Sequence, residues 1–154
     1  MPLRTGTPLP ALSGATEWIN GAPPPRETLR GGPLLVHFWA VSCHLCHDNM
    51  PTVVRWRDEF ASQGLRVIAI HMPRQEADLD VARVRDAAAA MGITEPCGID
   101  NTHAVADAFD NRFVPAYFLF DREGHLRSRT AGDAGLALLD AALRRQFPVV
   151  PADR

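Results

Sequence analysis

Two stretches of the chain are almost unbroken apolar runs, Leu34–Ala40 and Leu65–Met72. Runs of that length without alternation read as central strands buried on both faces. Between them, Met50, Val53, Val54, Trp56 and Phe60 recur at i+3 and i+4 spacings, which predicts a helix from Cys43 to about Gln63 with Gly64 as its stop. Pro51 falls inside that helix, where it removes a backbone hydrogen bond and predicts a kink. Strand, helix and parallel strand make a right-handed crossover. A second helical pattern runs from Ala77 to Met91, with Val81, Val84, Ala88 and Met91 on one face and Gly92 after it. Pro96–Ile99 predicts a short strand and His103–Phe109 a short helix. Tyr117–Phe120 and Leu126–Thr130 flank Asp121-Arg122-Glu123-Gly124, a hairpin turn. Leu136–Phe147 predicts a final helix with Leu136, Leu139, Leu143 and Phe147 on one side. This order predicts an α/β domain over 31–154: a central mixed β-sheet flanked by helices on both faces. Residues 1–30 are rich in Pro and Gly, with short strands predicted at Leu9–Leu12 and Trp18-Ile19, a turn at Asn20-Gly21 and one helical turn at Arg26–Leu29. They read as a short N-terminal extension packed on the domain, because Trp18, Ile19 and Leu29 need burial.

Composition narrows the class. At 154 residues, 46% apolar and 22% charged, the chain suits one globular domain. A formal net charge of -2 gives no electrostatic footprint for nucleic acid, and no apolar run approaches a membrane span. Met1–Pro10 lacks the apolar core of a signal peptide, so the expected location is cytoplasmic, or extracytoplasmic if the sequence is a mature fragment. Three cysteines are too few for a disulfide framework and leave Cys97 without an obvious partner.

The other two, Cys43 and Cys46, form a Cys-X-X-Cys where the first strand gives way to a helix, at the sheet edge where open α/β sheets place their chemistry. Three chemistries share this spelling. A redox dithiol fits the strand-to-helix turn. Cys43 to His47 also reads C-x-x-C-H, the attachment signature of a c-type haem, which would want an axial ligand elsewhere and a helical body. A zinc site would need a second close pair, for which His47 and His71 are poor substitutes.

The surrounding residues carry a resemblance. Phe38-Trp39-Ala40-Val41-Ser42-Cys43-His44-Leu45-Cys46, then Met50-Pro51, and far downstream Phe113-Val114-Pro115-Ala116-Tyr117-Phe118-Leu119-Phe120-Asp121-Arg122-Glu123-Gly124, are similar to the motifs of the TlpA-like thiol-disulfide oxidoreductases of the thioredoxin-like fold. Val67–His71, Asp100-Asn101 and Asn111–Phe113 resemble the DipZ-like branch. The resemblance spans about residues 30–147.

It implies that Cys43 is the nucleophile, exposed and activated by the helix N-terminus, and that Cys46, more buried, resolves the mixed disulfide. His44 inside the pair would add a donor and, when protonated, a cation beside the thiolate. A cis bond between Val114 and Pro115 is implied, with the Val114 backbone pairing with an extended substrate. Trp39 is expected to pack beside the dithiol. His37 stands where thioredoxin holds a buried acid, and could accept the resolving thiol's proton; a core histidine with a satisfied hydrogen bond is the competing reading. Asn49 replaces a Glu that many relatives carry, and cannot shuttle a proton. Cys97 reads as a buried, inert thiol. No bound cofactor and no metal are expected: electrons pass through the cysteines. The partners implied are protein disulfides or dithiols and a separate thiol-redox protein that resets the pair, with the chain acting as a monomer. Two alternatives remain, a thioredoxin-fold peroxidase, which would want Thr or Ser where Ala40 stands, and a non-catalytic thioredoxin-like binding module, which usually lacks one of the two cysteines.

Overall fold

A computed structural model describes residues 3–29 and 31–147. The positions expected to close the domain, 148–154, lie outside the described residues. Six strands form one mixed sheet: β1 (Glu17–Ile19), β2 (Leu34–Trp39), β3 (Arg66–His71), β4 (Cys97–Ile99), β5 (Ala116–Phe120) and β6 (Leu126–Ala131), in the order β1-β4-β3-β2-β5-β6. Among the described residues four α-helices accompany them: α1 (His44–Phe60), α2 (Val81–Ala90), α3 (Ala104–Ala108) and α4 (Leu136–Gln146).

β2 is central because all six of its residues are buried. It pairs parallel with β3, Leu34 opposite Arg66 through Trp39 opposite His71, and antiparallel with β5. The pleat sends Leu35 and Trp39 to one face, where they join Met50, Val53 and Trp56 of α1, Val84 and Ala88 of α2 and Leu139 and Leu143 of α4. Leu34, Val36 and Phe38 face the other way, against Val105, Ala106 and Phe109 from the α3 side. There Phe38, Phe109 and Phe118 meet edge to face at 5.1–5.5 Å between centroids, the offset that ring quadrupoles favour. Burying each such ring is worth roughly 1.5–3 kcal/mol.

The N-terminal segment helps to cover this second face. Leu9 and Leu29 are buried in the cluster on this face, with Leu12 and Trp18 packed against that cluster. β1 adds an antiparallel edge to β4, with Glu17 opposite Ile99. The strand expected at Leu9–Leu12 is absent; the pairing reduces to one isolated bridge, Pro8 to His125. Pro8 and Pro10 have no N–H to donate, so a ladder cannot propagate through them.

Two helix boundaries also differ from expectation. α1 begins at His44, with Cys43 as its cap, and tightens into a 3-10 turn at Ala61–Gln63 before Gly64 turns left-handed at φ 103°. The helix expected from Ala77 is two pieces, a 3-10 turn at Glu76–Leu79 and then α2. Asp80 divides them: its backbone is extended and its side chain accepts the Ala82 and Arg83 N–H groups, a helix cap.

Candidate functional site: a dithiol turn at the edge of the sheet

The chain leaves β2 at Trp39 and turns through Ala40, Val41 and Ser42 into α1. Cys43 caps the helix, its Sγ accepting the Cys46 N–H at 3.1 Å. An anion at this sulfur would meet that N–H and the positive end of the helix. Cys43 and Cys46 are joined in a disulfide with their Cα atoms 5.2 Å apart. Cys97 is the one free cysteine and lies buried in β4. Burial pushes its thiol up to about 12, against a smaller opposing pull from Trp39, so it stays protonated and inert.

The expected contrast in exposure between the paired cysteines is not seen. Cys43 is 1% exposed and Cys46 2%. In this oxidised form Val41, Leu45 and Val114, all half-buried, pack against the cluster that holds both cysteines. Apolar neighbours around a bonded sulfur leave little of it to water. Trp39 belongs to the same cluster and meets His71 edge to face at 4.8 Å. The Val114–Pro115 peptide is cis. Phe113, just before it, is 64% exposed, and its carbonyl is held by the buried Asn111 amide at 2.8 Å.

His44 projects into solvent, its side chain 93% exposed, and its ion-pair partner is Asp48 at 3.7 Å. His37 is buried and hydrogen-bonded: Nε2 lies 2.6 Å from Glu95 Oε2. Glu95 accepts Arg57 Nη1 at 2.8 Å on its other oxygen. Burial alone would raise the Glu95 carboxyl, but His37 and Arg57 outweigh it and hold the group down at about 2. The satisfied core histidine is therefore the geometry observed. Asn49 is also buried and donates to the Tyr117 hydroxyl at 3.3 Å.

Nothing in the sequence marks Glu95 or Asp78 as a partner of the site, and His71 stands out there only as a poor zinc ligand. Glu95 precedes a short strand 58 positions from His37, and no local pattern pairs the two. His71 ends an apolar strand and Asp78 sits in a polar turn; only the fold brings them to the residues before Cys43. His47, the fifth residue of the C-x-x-C-H spelling, is occupied locally, with its Nε2 2.9 Å from the Val41 carbonyl. Among the described residues no group of three or more His, Cys, Asp or Glu side chains is arranged to hold a metal ion.

A mixed sheet with a Cys-X-X-Cys disulfide capping the helix after its central strand, together with a cis proline before β5, defines the thioredoxin-like class. The profile of the AhpC/TSA family matches residues 6–129, and the chain belongs to that family. It is 44% identical over 138 residues to thiol-disulfide oxidoreductase YkuV of Bacillus subtilis (strain 168), covering 90% of this chain and 93% of that one. It is 33% identical over 139 residues to protein DipZ of Mycobacterium tuberculosis (strain CDC 1551 / Oshkosh); that match covers 88% of this chain but 20% of DipZ. A thioredoxin-like protein solved in solution in its oxidised form superposes with a TM-score of 0.85 at 44% identity, over 94% of this chain and 97% of that one. The chain is a thiol-disulfide oxidoreductase, with Cys43 and Cys46 as its redox pair; the peroxidase and binding-module alternatives are not favoured.

Proposed function

We propose that Cys43 is the nucleophile and Cys46 the resolving thiol in exchange with protein disulfides and dithiols. The observation that carries this reading is the position of Cys43 as the cap of α1, with the Cys46 N–H on its sulfur. In the reducing direction the Cys43 thiolate attacks one sulfur of a partner disulfide, forming a mixed disulfide and expelling one partner thiolate. Cys46, deprotonated, then attacks the Cys43 sulfur, closing the internal disulfide and releasing the second partner thiolate. Two electrons pass to the partner, and the same steps reversed oxidise a partner dithiol. A second thiol-redox protein returns the pair to its starting state, and the exchange requires no bound cofactor.

Val114 packs against the apolar cluster that contains both cysteines, and the Val114–Pro115 peptide is cis; on that basis we assign the segment to the substrate's extended backbone. Cys43→Ser is expected to abolish insulin reduction, while Cys97→Ser retains wild-type activity. Full activity in Cys43→Ser refutes the assignment.

A further inference from the structure

The turn that delivers Cys43 is held by side chains from β3 and the turn after it. His71 Nε2 accepts the Val41 N–H at 3.1 Å. Asp78 takes both donors of Ser42, the backbone N–H on Oδ1 at 3.2 Å and the hydroxyl on Oδ2 at 2.6 Å. It also accepts the Arg74 N–H at 2.9 Å. Asp78 is 1% exposed, so this is a buried carboxyl bound directly to the residue before the reactive thiol.

Burial favours the neutral acid, but the bonds from Ser42 and Arg74 outweigh it and keep the carboxyl below the usual carboxylate range. Yet no ion pair to Asp78 forms among the described residues. Burial pushes His71 down to about 4, so that imidazole is neutral at physiological pH. Its accepting Nε2 puts the proton on Nδ1, which is buried without a partner. Hydrogen bonds from neutral donors stabilise the Asp78 carboxylate without cancelling its field, and a buried charge is weakly screened.

We propose that Asp78 is a positioning residue of the dithiol reaction: its carboxylate fixes the Ser42–Cys43 step, and its uncompensated charge biases the Cys43–Cys46 pair toward the disulfide. This rests on the assignment of Cys43 as the thiol that ionises. A fixed negative charge bonded to the residue before Cys43 disfavours the Cys43 thiolate, which exists only in the reduced form. Opening the disulfide therefore becomes harder, and the protein a better donor of electrons. The other titratable groups that the contacts place at or next to the turn are His71 on β3, His47, whose Nε2 meets the Val41 carbonyl, His44 and Asp48 on α1, and Arg74, whose N–H Asp78 accepts.

The test uses the full chain, wild type and Asp78→Asn. Reduced protein is alkylated with iodoacetamide across pH, the label is located by mass spectrometry, and the disulfide is equilibrated with glutathione. In Asp78→Asn the midpoint of Cys43 alkylation is expected to fall, and the equilibrium to move about tenfold toward the dithiol, about 30 mV for a two-electron couple. Unchanged alkylation and equilibrium in folded Asp78→Asn overturn the proposal. Ser42→Ala keeps the carboxylate and removes a donor, so its midpoint is expected to rise. A fall there, matching Asp78→Asn, indicates a loosened turn rather than a charge and also overturns the proposal; this arm decides the question if Asp78→Asn does not fold. Label on Cys46 instead of Cys43 in the wild type refutes the nucleophile assignment itself, and separates that failure from a failure of the charge argument.

Discussion

The buried His37–Glu95–Arg57 chain is expected to be worth several kilocalories per mole at neutral pH, and Glu95→Gln isolates that contribution. The Glu95 side chain is 5% exposed and that of His37 1%, so solvent screens their contact little. A carboxyl held from its ordinary 4.5 down to about 2 contributes about 3 kcal/mol to folding, at about 1.36 kcal/mol per pH unit. That agrees with the roughly 3–5 kcal/mol lost when one partner of a buried pair is removed. The sign follows from proton binding. The folded state holds its proton less tightly than the unfolded chain, so the stabilisation is full above about pH 5 and fades as pH falls through about 2. Gln keeps one acceptor oxygen and the shape but has no charge to lose. Urea unfolding of the two proteins followed by tryptophan fluorescence is expected to show a gap of about 3 kcal/mol at pH 7 that has nearly closed at pH 2. His71, held neutral by burial down to about 4, also destabilises the fold on acidification, but equally in both proteins, so it cancels in the difference. A gap of the same size at both pH values refutes the electrostatic account and leaves only a packing change.

Other outcomes follow from local geometry. Asp80→Ala removes the side chain that accepts the Ala82 and Arg83 N–H groups at the start of α2, and is expected to cost about 1 kcal/mol in denaturant unfolding. Gly98→Ala places a methyl 2.9 Å from the Trp18 ring and 3.1 Å from Ile70; about 1–3 kcal/mol of overpacking is expected as a lowered Tm. An unchanged Tm would show that Trp18 yields freely.

The sequence by itself determined the frame. Unbroken apolar runs specify β2 and β3 because a strand covered on both faces has no polar alternation to show. The spacing after Cys43 specifies α1, and Cys43 stands at its mouth because the strand-to-helix turn must fall between the two patterns. Local hydrogen-bond chemistry moved the boundaries: Asp80 capped a helix that periodicity alone would extend, and two prolines prevented a strand at Leu9–Leu12. Only the tertiary structure decided what surrounds the pair. Glu95 reaches His37, Tyr117 reaches Asn49, and His71 and Asp78 reach the turn before Cys43, over separations of 58, 68, 30 and 36 residues. Such partners leave no periodic trace, because a buried polar group needs one complementary atom at the right point in space and any element can supply it. The Cys-X-X-Cys spacing therefore announces the reaction class. The electrostatics that poise it come from residues the fold gathers from elsewhere in the chain.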